Sequence, residues 1–259
     1  MSCISLTTDF GVDDWFVGTM KGVIHSKSTT TTVIDLTHGI PRGDIRAGAF
    51  ALMAGYQHFP KQTVHVAVID PGVGSERSAN AVDTANYFFV GPDNGVLSWA
   101  LQHEEIRAIH RLENPDCFLN GISATFHGRD VFAPVAADIA NGIEIAHLGR
   151  AMDKMEMIHW PPMTKGDGGL EGEIVYLDVY GNGITNISNV ALGTKEEANV
   201  RIGEELFGPL KECYNAVELG QPVAVRGSSG LLELAVNRGS AAASHGLEVG
   251  SLVSVTPNA

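Results

Sequence analysis

Short β-branched runs alternate with helix-like segments through about residue 157, and this alternation constrains the fold more than any other feature. Such a succession buries both faces of its strands by laying helices over a mainly parallel sheet. Ile4 to Thr8 reads as a first strand leading into Asp9, Phe10 and Gly11. Trp15 to Ile24 has helical spacing, Thr32 to Leu36 is a second strand, and Asp44 to Tyr56 is an alanine-rich helix. The β-type run Val64 to Ile69 ends on Asp70, and Tyr87 to Val90 opens into Gly91-Pro92-Asp93-Asn94-Gly95 and a further helix. Pro134 suits the first turn of a helix reaching about Asn141.

The composition then changes. His159 to Gly169 carries paired prolines and glycines and reads as a linker. Short strands with glycine turns follow at Gly172 to Val179, Ala198 to Ile202, Pro222 to Val225 and Ser251 to Val255, as expected of a β-barrel or sandwich. The expected fold is therefore α/β: a catalytic N-terminal domain at 1–158 with helices on both faces of its sheet, a linker at 159–170, and a smaller β-barrel-like domain at 171–259.

Two segments carry chemistry. Asp70-Pro71-Gly72-Val73-Gly74 puts a carboxylate at the carboxyl edge of the sheet, where α/β proteins bind ligands, and Arg77 follows it. Phe126-His127-Gly128-Arg129-Asp130 offers a histidine in a glycine-flanked turn, completing an Asp/Arg/His set. Arg129 and Asp130 are expected to cap the helix that follows, and Asp93 and Asn94 to form only a turn.

The formal net charge of −13 and the lack of clustered Lys and Arg argue against a nucleic-acid partner. Cys3, Cys117 and Cys213 are odd in number and far apart, as free thiols in a reducing cytoplasm would be. No stretch is long and apolar enough for a membrane span. The histidines show no H-x-x-x-H or H-E-x-x-H spacing.

Further motifs are Thr7-Thr8-Asp9-Phe10-Gly11, Tyr180-Gly181-Asn182-Gly183-Ile184-Thr185-Asn186-Ile187 and the run Ser228 to Ala242. With the segments at Asp70, Gly91 and Phe126, in this order, they resemble the S-adenosylmethionine (SAM) hydroxide adenosyltransferases, relatives of the fluorinating and chlorinating enzymes that use the same substrate. The resemblance implies hydrolysis of SAM to adenosine and methionine, with no cofactor and no metal. For that chemistry Asp70 and Arg77 are expected to position a water whose proton His127 takes or relays. The resemblance places Asp9 on the ribose hydroxyls, Asp178 and Asn182 on the methionine ends, and Tyr180 and Tyr214 against adenine. Ser228 is expected at the methionine carboxylate, Glu233 at the ammonium group and the Arg238 backbone at the adenine edge. The segment His38 to Asp44 lacks the aromatic that the fluorinating relative has there. Halide-using relatives enclose an anion where this chain has Asp70, and a carboxylate there repels halide. The resemblance also implies a homotrimer with sites between subunits. The alternatives are a SAM-dependent halogenase, a metal-dependent hydrolase with Asp9, Asp70, His127 and Asp130 as ligands, and a non-catalytic SAM or adenosine sensor.

Overall fold

The structure is a computed structural model that describes residues 2–166, 168–193 and 198–256. The chain divides into two compact units, residues 1–159 and 160–259.

The first unit runs β1 (Cys3–Thr8), α1 (Phe16–Lys27), β2 (Thr32–Thr37), α2 (Ile45–Gly55), β3 (Val64–Val68), β4 (Ala79–Thr84), β5 (Phe88–Pro92), α3 (Ser98–Leu101), β6 (Ile106–Arg111) and α4 (Ala133–Ala140). Its sheet has the order β2-β1-β3-β5-β4-β6. The first four of these strands are parallel, whereas β4 is antiparallel to both β5 and β6. The sheet is thus mainly parallel, as expected. β4 and β6 fall outside the runs legible in the sequence, because Asn80, Asp83, Arg107 and His110 interrupt their apolar pattern.

Side-chain alternation on the central strands explains the two helical layers. Ile4 and Leu6 of β1 and Val64, Val66 and Val68 of β3 pack in one core with Met20 and Ile24 of α1 and Val135 and Ala136 of α4. On the opposite face, Gly48 of α2 comes so near β3 that a Cβ there would lie 2.7 Å from Ile69 Cδ1. Helix α2 starts where the Asp44 carboxylate accepts from the Ala47 N–H at 2.9 Å, and Pro134 occupies the first turn of α4. Because β1, β3 and β5 are parallel, the connections beginning at Asp9, Ile69 and Asp93 leave the sheet at one edge.

The second unit runs β7 (Thr164–Gly166), β8 (Gly169–Leu177), β9 (Gly183–Ser188), α5 (Asn189–Leu192), β10 (Asn199–Ile202), β11 (Glu205–Lys211), β12 (Pro222–Arg226), β13 (Leu231–Val236), α6 (Ala241–His245) and β14 (Leu252–Thr256). Seven strands close into a barrel in the order β14-β10-β11-β12-β13-β9-β8, with β8 returning to β14. Closure depends on β8, which pairs with β14 through Leu170–Glu173 and with β9 through Ile174–Leu177. Leu170, Ile174, Phe207, Leu232, Leu234, Val253 and Val255 fill the interior. Part of the stretch read as a linker is ordered into this unit. Thr164–Gly166 pairs with β8, and Asn186 Nδ2 donates to the carbonyls of Pro161 and Pro162 at 3.1 Å each. Asp167 of that stretch and the last three residues of the chain lie outside the described residues. The three cysteines are free thiols, with Cys3 and Cys117 buried. Among the described residues, no helix is long and apolar enough to cross a membrane.

His65 of β3 is fully buried, with Nδ1 2.6 Å from Ser5 Oγ and the ring stacked on Phe89 and edge-on to Tyr56. Burial drives its pKa down from 6.5 to about 3, so between these values it is neutral in the folded chain and gains a proton on unfolding. Its stabilising contribution is complete above pH 6.5 and is lost as the pH falls toward 3. Unfolding free energy measured in denaturant should therefore drop by about 1 kcal/mol per pH unit through that window from this residue alone. His65→Phe should flatten that part of the profile.

Candidate active site

Asp70 stands two residues past the end of β3, and its carboxylate is held by Arg77. Arg77 Nε donates to Asp70 Oδ1 at 2.9 Å and to Oδ2 at 3.0 Å, and Nη2 donates to Oδ2 as well. The same Nη2 donates to His127 Nδ1 at 2.8 Å. One guanidinium therefore joins residues from two separate connections, with His127 fifty positions beyond Arg77. The pair is well shielded, with side-chain exposure of 4% for Asp70 and 12% for Arg77. Since Arg77 only donates, His127 Nδ1 accepts, and the neutral ring carries its proton on Nε2. Burial, then the nearby Arg77 charge, lowers the His127 pKa, while Asp70 and Asp130 pull it back up. The ring is thus held neutral at neutral pH.

Backbone packing sets this meeting. Gly74 adopts φ +78°, and a Cβ on it would lie 2.1 Å from the Ala124 carbonyl oxygen. The loop after Asp70 thereby rests directly on the segment leading to His127, which only glycine permits. Phe126 fixes the other side, edge-on to Phe10 at 5.8 Å and to Phe16 at 5.2 Å between ring centroids.

Asp130 and Arg129 do not cap α4, which has no side-chain cap. The Asp130 carboxylate instead accepts from the Ser123 N–H at 2.8 Å and from Arg129 Nε at 2.6 Å, folding the loop that precedes His127. The residues chosen for the metal alternative are thus engaged otherwise, Asp70 with Arg77 and Asp130 with Arg129. Among the described residues, no group of three or more His, Cys, Asp or Glu is placed to hold a metal ion.

Asp9 follows β1 and lines a cleft of ≈ 270 Å³ with Asp13, Asp14, His38 and Arg42. Its Oδ2 accepts from the Gly43 N–H at 2.8 Å. His38 braces this turn twice: its carbonyl accepts from Gly11 N–H at 2.8 Å, and its Nδ1 lies 2.8 Å from Thr8 Oγ1. Its Nε2 faces Asp35 Oδ1 at 3.0 Å. The Gly43 contact with Asp9 and the bond between Thr8 and His38 escape sequence reasoning, because nothing in the spacing of these residues announces them.

In the second unit Asp178 closes a turn: Oδ1 accepts from the N–H groups of Tyr180 at 2.9 Å and Asn182 at 2.8 Å, and Oδ2 from Asn182 Nδ2 at 3.0 Å. Tyr214 Oη donates to Glu233 Oε1 at 2.7 Å. Glu233 is 6% exposed, and burial with the nearby Asp178 charge raises its pKa against the opposing bonds from Tyr214 and Asn182. Burial and Glu233 likewise push the Tyr214 hydroxyl pKa upward. These four residues form one cluster. Tyr180, Ser228 and Arg238 are exposed, Arg238 in the left-handed region at φ +55°.

The chain matches the SAM hydroxide adenosyltransferase N-terminal domain over residues 4–149 and the C-terminal domain over residues 172–254. It belongs to the SAM hydroxide adenosyltransferase family. It is 37% identical to a protein of Thermus thermophilus named (R)-S-adenosyl-L-methionine hydrolase, over 96% of this chain and 98% of that one. A more distant relative, 25% identical over 98% of this chain and 96% of its own, is named fluorinase, from Actinopolyspora mzabensis. Among solved structures, an uncharacterized conserved protein from Thermotoga maritima superposes with a TM-score of 0.89 at 31% identity, covering 97% of this chain and 99% of that one.

In this adenosyltransferase-family chain, Gly74→Ala should destabilise the first unit by about 1–3 kcal/mol, through both the strained φ and the Ala124 clash. Denaturant unfolding with hydrogen exchange at the amides around Ala124 measures it; an unchanged midpoint with unchanged protection would refute the packing argument.

Proposed function

We propose that this protein hydrolyses SAM, water attacking the ribose C5′ as the C5′–S bond breaks, to give adenosine, L-methionine and a proton. The observation that carries the reading is the shielded Asp70–Arg77–His127 contact, in a chain of this family. A thioether leaving a sulfonium needs no protonation, so no general acid is required. What is required is a water held in line with the C–S bond and an acceptor for its proton. Asp70 Oδ1 accepts a single bond from Arg77, whereas Oδ2 accepts two, so Oδ1 keeps the freer lone pair for that proton. His127, with Nδ1 on Arg77, presents Nε2–H to the water oxygen. It takes the proton itself only by releasing Arg77, which narrows the earlier expectation of taking or relaying.

For the substrate, Asp9 Oδ1 is left to accept from the ribose hydroxyls while Oδ2 stays on Gly43. Asp178, Asn182 and Glu233 form the acidic, hydrogen-bonding surface for the methionine ammonium and carboxylate, with Ser228 as a further carboxylate contact. Tyr180, Tyr214 and the Arg238 backbone serve the adenine. The relatives named for the (R) form support the R sulfonium epimer as the one turned over. The same family resemblance supports a cytoplasmic homotrimer in which each site draws on two copies.

Chromatography of products after incubation with each sulfonium epimer, with and without chloride or fluoride, tests the reaction. Equal adenosine and methionine, unchanged by halide or chelator, is expected. A 5′-halogenated adenosine would make the protein a halogenase, and binding without turnover would make it a sensor. Asp70→Asn should lower kcat roughly 10²–10⁴-fold with SAM still bound, while His127→Gln, which keeps a donor, should lose far less than His127→Ala. Full activity of His127→Ala would remove that residue from the reaction.

Sedimentation of the active enzyme should give three copies per particle. Co-assembly of Asp70→Asn with Asp178→Ala, each inactive alone, should restore part of the activity. A fully active monomer would overturn the shared-site arrangement.

A further inference from the structure

We infer that Asn94 is a positioning residue for Asp70, an inference whose activity readout rests on the hydrolase reading. Ile69 lies just past the last register pairs of β3, Thr8↔Val68 with β1 and Val66↔Val90 with β5. Its carbonyl belongs to the peptide unit that ends at the Asp70 nitrogen. Asn94 Nδ2 donates to that carbonyl at 2.8 Å, supplying a bond where the sheet ladder has stopped. Asn94 Oδ1 accepts from the Val96 N–H at 3.1 Å, which orients the amide so that nitrogen, and not oxygen, faces Ile69. Rotation of the Ile69–Asp70 peptide is the motion that would swing the Asp70 carboxylate away from Arg77, and Asn94 blocks it.

The same loop also holds the other partner. The Asp93 N–H donates to the Ser78 carbonyl at 2.9 Å, the oxygen to which Arg77 Nη1 also donates at 3.4 Å. The loop itself is fixed at both ends. A Cβ on Gly91 would lie 2.6 Å from the Ala67 carbonyl oxygen, and Gly95, at φ +94°, packs against Ile158. Asp70 and Arg77 are therefore aligned by a neighbouring loop as well as by each other, and the precision of a reacting geometry depends on such supports.

The Asp93 side chain supplies the control, because its bond is to the Glu156 N–H, at 2.7 Å, and not to Ile69, Asp70 or Arg77. Asn94→Ala and the near-isosteric Asn94→Asp, which puts an oxygen against the Ile69 carbonyl, should each lower kcat roughly tenfold or more. KM and the equilibrium affinity for SAM should stay within about threefold, and Asp93→Ala should keep kcat within about twofold. Wild-type kcat in Asn94→Asp would overturn the inference, as would an equal loss in Asp93→Ala or a rise in KM with kcat held. If the wild-type protein does not turn SAM over, the hydrolase reading fails first and this inference falls with it.

Discussion

Arg77 is the interaction on which the site depends. Its guanidinium spends Nε on both oxygens of Asp70 and shares Nη2 between Asp70 and His127. A planar fork with several donors can do this, and a lysine ammonium on a flexible stem cannot hold both partners in one fixed plane. The guanidinium also lies 5.6 Å from the centre of the Phe132 ring, which backs it on the buried side. Removing Asp70 or Arg77 alone would leave the other's charge stranded in a shielded place, so that ion pair is stable only as a unit.

The carboxylates assigned to substrate differ in how far their surroundings commit them. Asp70 is locked by a cation, Asp9 has one oxygen on a backbone N–H, and Glu233 is buried beside Asp178 with no paired cation among the described residues of its cluster. This gradient suits their proposed partners. A carboxylate facing water needs fixed geometry, one facing ribose hydroxyls needs a free oxygen, and one facing an ammonium gains its counter-charge from the ligand itself.

Much of this was legible in the sequence, and the parts that were not share a cause. The central parallel strands β1 and β3 showed as compact apolar runs because they are buried on both faces, and Asp44 and Pro134 marked the starts of their helices. β4 and β6 were hidden because polar residues break their pattern, β9 and β13 because they lie inside the motif runs at Tyr180 and Ser228, and β11 because Gly208 and Pro209 interrupt it. Asp70, Arg77 and His127 could be named from their turns, and the structure brings them into contact. Asp130 could be seen but was misread, since its bond to Ser123 runs backward along the chain, opposite to a cap. Contacts such as Asn94 with Ile69 or Gly74 with Ala124 join segments distant in sequence, and no local periodicity records them.

The divided pairing of β8 bears on where the second unit can be cut. Its first half closes the barrel against β14 and its second half continues into β9, so one strand belongs to both flanks of the same wall. A fragment beginning at Ile174 would keep the β9 ladder yet strip β14 of one of its two neighbours, leaving an open strand edge beside the apolar interior formed by Val253 and Val255. Such an edge is a template for joining another chain, so truncation at this point converts a sealed wall into an adhesive one.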